Sequence, residues 1–482
     1  MQKNTGINLK RTIRFICNND TISTELHPSV STLDFIRSRL YLTGTKAGCR
    51  EGDCGACSII LGDLINNKVH YKTVNSCLIP LGALEGKHIV TIEGLNQETL
   101  NPIQESFVNE AGIQCGFCTP GFIVSLTGSL LSGKKLNYAG LLSSLDGNIC
   151  RCTGYASIKR SIKNFIDNYS KNSPTFEFNI EELVCNKIIP EYFLTISNRL
   201  KEIINRNNSG QIYENGITAA GSTDLFLQKN KELLTEGIHF LKPKANSPTI
   251  YTENNVCHIK AYATVTEISE SEILNNIFPE IKSYFSLFGS NQIRNRATLG
   301  GNIINSSPIA DLTIFFLTLN PILHFKEENN TRKVPLQEFY KGYKQFDKTP
   351  SEILELVSFP IPAIDSKVNF VKVSRRTYLD IASVNSAILI RINNNIITEA
   401  SITAGGVAPF PLLLKSTSLY LKGKHVCIDI IKMATEIASS EISPISDVRG
   451  SAKYKSLLLK QLLLSHFYKL FPEYIKEEDL VW

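Results

Sequence analysis

The sequence predicts an α+β chain of several domains, and three observations carry that reading. Its 482 residues exceed what one hydrophobic core organises, so about two to four domains follow. The apolar period is strand-like before residue 100 and helix-like after it. Eight of the twelve cysteines lie between Cys49 and Cys152, a density that marks a built site.

Thr12–Ile16 and Thr21–Leu26 read as short strands split by the turn cluster Asn18-Asn19-Asp20, a hairpin. Leu33, Ile36 and Leu40 fall at helical spacing across 31–42, with Ser31 as N-cap. Ser58–Leu61 and Val69–Val74 are further strands, which completes a small α+β sheet domain. Beyond residue 100, Tyr138, Leu141, Leu142 and Leu145 share one helix face. So do Ile158, Ile162, Phe165, Ile166 and Tyr169, so this region is a helical bundle with its cysteines in the turns at helix ends. Residues 171–190 lose periodicity and open on a polar stretch with Pro174, which reads as a linker. Strands and helices then alternate to about 365. The remainder mixes strands such as Ser386–Arg391 with a helical C-terminus around Leu457–Tyr468.

Hydrophobic residues make up 43% and charged residues 20%, which describes a globular chain. A net charge of +6 is mild at this length, and Lys134-Lys135 belongs to no longer basic run. A nucleic-acid or lipid surface is therefore not expected. Met1–Arg14 lacks an apolar secretory core, so a cytoplasmic protein is expected. Leu312–Phe325 is interrupted by Asn320 and Pro321, short of the ~18 apolar residues of a membrane span. With no export signal, clustered thiols point to metal ligation more than to disulfides. The scattered Cys17, Cys185, Cys257 and Cys427 are expected to be buried apolar side chains.

Cys49-x4-Cys54-x2-Cys57, followed after nineteen residues by Cys77, has the plant-type [2Fe–2S] spacing. Gly44, Gly48, Gly52 and Gly55 keep bulk out of that loop, so its amides can reach the negatively charged sulfurs. A zinc site favours paired knuckles of similar spacing instead. The second set is Cys115-x2-Cys118 with Cys150-x-Cys152. A thioredoxin-like role needs a βαβ setting that is missing here; by spacing alone, iron–sulfur and zinc both remain open.

Neither GxGxxG nor GxxxxGK[ST] occurs. Ala219-Ala-Gly-Ser-Thr-Asp-Leu225 could present bare amides to a pyrophosphate, or could simply cap a helix through Ser222 or Thr223. Thr298-Leu-Gly-Gly-Asn302, running on to Asp311, could lie against a flat ligand, with Asn302 and Asp311 bonding hydroxyls. It could equally be a tight turn with an Asx cap.

Three segments, Glu51–Cys57, Gln114–Gly121 and Gly147–Tyr155, closely resemble the two-cluster region of molybdenum hydroxylases: xanthine dehydrogenases, aldehyde oxidases and carbon monoxide dehydrogenases. Phe288–Asp311, Gly221–Asp224 and Lys372–Arg376 resemble the flavin-binding stretch of the same family. Thr403–Pro409 and Asp447–Tyr454 resemble its closing domain. The resemblance implies a β-grasp ferredoxin domain (10–97) and a four-helix [2Fe–2S] bundle (98–170). It then implies a linker (171–190), an α/β FAD-binding domain of the vanillyl-alcohol-oxidase/CO-dehydrogenase flavoprotein type (191–365) and a small α+β C-terminal domain (366–482). Cys49, Cys54, Cys57 and Cys77 would hold one cluster; Cys115, Cys118, Cys150 and Cys152 would hold the other, nearer the molybdenum cofactor.

The same resemblance places Gln114 near molybdopterin. It assigns FAD contacts to Thr218, Ala219, Ala220, Gly221, Ser222, Thr223, Asp224 and Leu225, with Ser222 departing from the family's usual Gly or Asn. Further FAD contacts are Phe288, Thr298, Leu299, Gly300, Gly301, Asn302, Asp311, Leu354 and Lys372. No catalytic residue for substrate is expected on this chain. With no molybdopterin domain following residue 482, that chemistry is assigned to a large partner subunit, in an (αβ)2 heterotetramer with NAD+ as acceptor. Clusters and flavin on one chain is the arrangement of bacterial xanthine dehydrogenase small subunits. The alternatives are a hydroxylase of an aldehyde or another heterocycle, a stand-alone NADH-oxidising flavoprotein, and a structural zinc protein. The surface after Arg376, Thr377-Tyr-Leu379, is less acidic than in the animal enzymes, which leaves the NAD side open.

Overall fold

A computed structural model describes residues 12–169, 175–206, 216–241 and 247–480. The chain divides into two compact units. One comprises Met1–Phe240 with Ser290–Arg296; the other comprises Leu241–Gly289 with Ala297–Trp482.

The first unit opens with a five-stranded mixed sheet. Its strands are β1 (Ile13–Cys17), β2 (Asp20–Thr24), β3 (Ser58–Ile65), β4 (Lys68–Asn75) and β5 (His88–Val90), in the order β2-β1-β5-β3-β4. β1 and β5 run parallel and the other neighbours antiparallel. Asn66 and Asn67 both take left-handed conformations, the requirement of the two-residue turn joining β3 to β4. Helix α1 (Thr32–Ser38) is capped by Ser31, whose side chain accepts from the Asp34 N–H. It packs Phe35 and Ile36 onto Phe15, Ile59 and Leu61. The helix stops before the expected residue 42 because Leu40 bonds back to the Phe35 carbonyl and Tyr41 turns left-handed into the cysteine loop.

Four helices follow: α2 (Pro102–Asn109), α3 (Thr119–Leu130), α4 (Tyr138–Ser143) and α5 (Ala156–Tyr169). Asn101 and Gln104 form a reciprocal capping box at α2. α3 is buried along almost its whole length. One side of α3 meets the sheet so closely that a Cβ on Gly128 would sit 2.2 Å from Thr73 Oγ1. Ile60, Tyr71 and Val90 of the sheet therefore share one core with Phe107, Phe122, Leu141, Ile158, Ile162 and Phe165.

Of the linker expected over 171–190, residues 171–174 lie outside the described residues. From Thr175 onward the chain is part of this unit: Phe176 pairs with Leu136, and a short helix, Ile180–Cys185, buries Leu183. Phe176, Leu183, Ile188 and Ile189 join the bundle core. Their isolation among acids and Asn hid any period. A parallel pair, Ile217–Ala219 with Ile238–Phe240, closes the unit around two short helices.

Ser290–Arg296 was expected to belong with the flavin domain but folds with the cysteine-bearing unit. Its polar side chains are the reason. Arg294 pairs with Asp146 at 2.6 Å, the two side chains being 12% and 3% exposed. Asn295 donates to the Thr73 carbonyl, and Gln292 is buried beside Asn148. Burial pushes the Asp146 carboxyl above its ordinary range, and Arg294 opposes that push.

Among the described residues the second unit holds two larger antiparallel sheets and a two-stranded one, Tyr340–Gly342 with Gln345–Phe346. Five strands run in the order Asn330–Pro335, Ile322–Glu327, Ile353–Pro360, Val256–Lys260, Ile250–Glu253. Four run in the order Lys367–Val373, Val384–Asn393, Ile396–Gly405, Leu412–Leu413. Helices Ile428–Glu441 and Ala452–Leu470 bury Ile431, Ala434, Leu459, Leu463 and Phe467 against Val384, Ile388 and Ile402. Asn320 and Pro321 break the apolar run into a helix, Asp311–Leu317, and a strand. Among the described residues no helix is long and apolar enough to cross a membrane.

Two of the four scattered cysteines correct the expectation. Cys17 and Cys257 are buried and their thiols are pushed up to about 12 by burial, but Cys185 and Cys427 are exposed. Cys185 ends a helix and Cys427 precedes one, positions that burial patterns do not fix.

Removing one partner of the buried pair should be severe. Arg294→Met strands a carboxylate inside the first unit and is expected to cost about 3–5 kcal/mol in denaturant unfolding. The double variant Asp146→Leu/Arg294→Met should recover much of that loss.

Candidate functional site

Both cysteine sets assemble, the first as two pairs and the second as a run of neighbouring sulfurs. In the first, the Cys57 and Cys77 sulfurs lie 3.3 Å apart, and Cys54 is hydrogen-bonded to Cys49. Backbone N–H groups already aim at the sulfurs: Glu51 and Asp53 donate to Cys49 at 3.4 and 3.3 Å, and Cys49 donates to Cys54 at 3.4 Å. The Cys54 thiol and these amides bring the Cys49 pKa down to about 5 against the opposing effect of burial. Glycine is required here by contact: a Cβ on Gly48 would lie 2.7 Å from Cys54 Sγ.

In the second set, Cys115 and Cys152 lie 3.8 Å apart in the turn before α3 and the turn before α5. Cys118 stands at the α3 N-cap and hydrogen-bonds Cys150. Burial pushes the Cys150 thiol up, yet the Thr153 hydroxyl and N–H outweigh it and the net pKa falls to about 7. Cys118, with burial and Cys150 against ionisation, rises to about 12.

The first set thus presents two thiol pairs, and in the second Cys152 lies 3.7 Å from Cys150 and 3.8 Å from Cys115; each set gathers the four thiols a [2Fe–2S] cluster takes. A single zinc ion needs four sulfurs around one point. The preformed N–H···S contacts and the glycine next to the sulfur fit the cluster's concentrated negative charge. Cys57 and Cys77 are buried while Cys115 and Cys152 are exposed, so the second set opens to the surface. Gln114 is exposed beside it, as are Ile113, Phe117, Ile149 and Tyr155.

The sets meet. Ile149 N–H donates to the Cys54 carbonyl at 3.0 Å, and Asn148 Nδ2 donates to the Gly55 carbonyl at 3.1 Å. Gly55 takes φ +68°, and a Cβ there would lie 2.2 Å from the Gly147 carbonyl. Gly121 of α3 abuts the same Gly55 carbonyl.

The expected flavin residues fall in both units. In the first, Thr218 and Ala219 end a strand and Thr223–Gln228 is a short helix. Gly221 and Ser222 form the turn between them, Ser222 left-handed at φ 67°. The plain N-cap alternative is absent: no cap bond forms, and Ser222 Oγ is buried without a partner. Arg296 was not singled out from the sequence. It donates to the Gly221 carbonyl at 3.0 Å, its Nε is buried without a partner, and removal from water lowers its pKa to about 10. A cation and a hydroxyl with unused donors beside a glycine turn suit a pyrophosphate. The signal lay in the same Gln-Ile-Arg-Asn-Arg stretch, where attention went to the glycines.

In the second unit Thr298 caps the helix Leu299–Asn305 by accepting from the Gly301 N–H. The paired glycines differ in purpose. Gly300 is needed by packing, since a Cβ would meet Ala261 at 2.8 Å; Gly301 is exposed. Asn302 Oδ1 accepts from the Thr313 N–H and hydroxyl, which leaves Nδ2 for a ligand. Asp311 is engaged by Lys372 at 2.7 Å and by Asn385, so both its oxygens serve the protein. Lys372 also donates to the Leu287 carbonyl. Phe288 is half-buried and Leu354 is buried in a strand.

Comparison with known proteins finds three domain matches. Residues 91–163 match a [2Fe-2S] binding domain, 197–362 the FAD binding domain in molybdopterin dehydrogenase, and 369–470 the CO dehydrogenase flavoprotein C-terminal domain. Xanthine dehydrogenase of Dictyostelium discoideum is 30% identical over 77% of this chain and 33% of its own length. Aldehyde oxidase 1 of Bos taurus is 28% identical over 94% and 39%. Xanthine dehydrogenase of Emericella nidulans is 26% identical over 86% and 35%. The chain thus spans about a third of the length of the curated relatives it matches. Among solved structures, CO dehydrogenase from Oligotropha carboxidovorans is 24% identical, covers 52% of this chain and 87% of its own, and gives a TM-score of 0.49. Quinoline 2-oxidoreductase from Pseudomonas putida 86 gives 23%, 51%, 86% and 0.47. The three domain matches fit a member of the molybdenum hydroxylase family.

Ser222 gives a direct test of the glycine turn. A left-handed serine with an unpartnered hydroxyl is strained, so Ser222→Gly should stabilise the flavin-free chain by about 1 kcal/mol in thermal unfolding. A loss of stability would contradict the strain.

Proposed function

We propose that this chain is the iron–sulfur and flavin electron-carrying part of a molybdenum hydroxylase. The observation that carries the reading is the gathering of eight thiols into two sets within one compact unit, the first with no exposed member and the second with Cys115 and Cys152 exposed. When bound, the clusters supply one-electron carriers, and a flavin links them to a two-electron acceptor.

The protein's own residues hold and tune these groups. Eight thiolates ligate, the amides of Cys49, Glu51 and Asp53 donate to sulfur, and Thr153 supports Cys150. In the first unit Thr218–Leu225, with Arg296, presents the donors that suit the flavin's pyrophosphate; in the second unit Phe288, Thr298–Asn302 and Leu354 keep the flavin role that the family resemblance gives them. Asp311 and Lys372 act there by holding each other and the surrounding chain in place. Gln114, Ile113, Phe117 and Ile149, exposed around the open cysteine set, face a large subunit that carries molybdopterin and the substrate.

On the finer question, the reading is a cytoplasmic xanthine dehydrogenase small subunit in an (αβ)2 assembly, passing electrons from xanthine to NAD+ as urate forms. Relatives named xanthine dehydrogenase support it. The similarity to an aldehyde oxidase favours an aldehyde as the second substrate class.

Co-expression with the large subunit and anaerobic mixing with substrate tests both. Xanthine should bleach the clusters and flavin, and NADH should form, only when the large subunit is present. Bleaching by an aldehyde and not by xanthine would move the substrate. Bleaching by NADH with no large chain co-purifying would overturn the proposal.

A further inference from the structure

Asn148 belongs to the second cysteine set's loop, yet its side chain serves the first. Its Oδ1 accepts from Ser125 Oγ at 2.8 Å and from Gln292 Nε2 at 3.0 Å. Two donors on the oxygen fix which way the amide faces, so Nδ2 must point at the Gly55 carbonyl, 3.1 Å away. Asn148 is 4% and Gln292 1% exposed, so water does not compete for these bonds. Gln292 cannot shift toward the loop, because Gly147 lies against its Oε1.

The Gly55 carbonyl and the Ala56 N–H belong to one peptide group, and that N–H acts to lower the Cys54 thiol's pKa, favouring negative charge on the sulfur. A donor on the carbonyl polarises the peptide and strengthens what its N–H gives to the sulfur. Ser58 also donates to this carbonyl, through N–H at 3.1 Å and Oγ at 2.7 Å, so Asn148 adds to an existing pull. Hydrogen bonds to ligand sulfur favour the reduced, more negative state of an iron–sulfur cluster.

We propose that Asn148, oriented by Gln292 and Ser125, is a positioning residue that raises the reduction potential of the cluster held by Cys49, Cys54, Cys57 and Cys77. This rests on the iron–sulfur reading given above. The second loop thereby tunes the first, and Gln292 sets the tuning from a segment distant in sequence.

The test is an EPR-monitored redox titration of the full chain, wild type against Asn148→Asp, Asn148→Leu and Gln292→Met. Cys115→Ser identifies the first cluster as the signal that survives. All three variants should keep their iron, shift the first cluster's midpoint to a more negative value and leave the second cluster's in place. Asn148→Gln, which keeps a donor, should restore part of the shift. Unchanged midpoints in variants with full iron would overturn the inference, as would equal shifts of both clusters. If the Asn148 variants fail to fold, Gln292→Met alone decides by the same criterion. A wild-type chain that forms no clusters would instead defeat the underlying reading, so the two failures are distinguishable.

Discussion

Everything in the first unit depends on a close approach of three backbones at Gly55. The loop between Cys54 and Cys57, the turn before Cys150 and the start of α3 meet there, at separations a single methyl group would destroy. Peptide hydrogen bonds can then join the two cysteine loops directly, through Ile149 to Cys54. A buried polar group must be satisfied, and the crossing satisfies its own with Asn148, Ser125 and Gln292. Sulfurs in two distant stretches of sequence are held as one rigid set because this junction is packed and fully bonded, apart from Gln292 Oε1.

Much of this was legible beforehand. Cysteine spacing is a strong signal because a cluster allows few loop lengths, and the cysteines of each set do come close to one another. Two of the four bundle helices, α4 and α5, were visible from Leu141, Leu145, Ile158 and Ile162, whose period survives inside a mixed core. The first hairpin turn declared itself through Asn18, a residue that tolerates left-handed backbone.

What stayed hidden was hidden for physical reasons. Phe176 and Leu183 pack singly, so no periodicity announces them. Ser290–Arg296 looks like any polar loop; only the fold shows that Asp146, Asn148 and Thr73 await its side chains. Glycine pairs do not reveal which member faces a ligand, and here Gly300 is used by Ala261. Asp311 carries a charge suited to a hydroxyl, but Lys372 and Asn385 claim it first. In each case the sequence shows a capable side chain, and its tertiary partner decides how that capability is used.

The thiol pairs, their amide donors and the partnerless donors of Ser222 and Arg296 describe a protein shaped around groups it does not itself encode. The most direct measurement is metal, sulfide and flavin content with EPR of the dithionite-reduced chain, purified anaerobically. About four irons and four sulfides per chain, bound FAD, and two distinguishable [2Fe–2S] signals are the result this account requires. Zinc in place of iron, or a single iron–sulfur signal from a chain with all eight thiols intact, would contradict it.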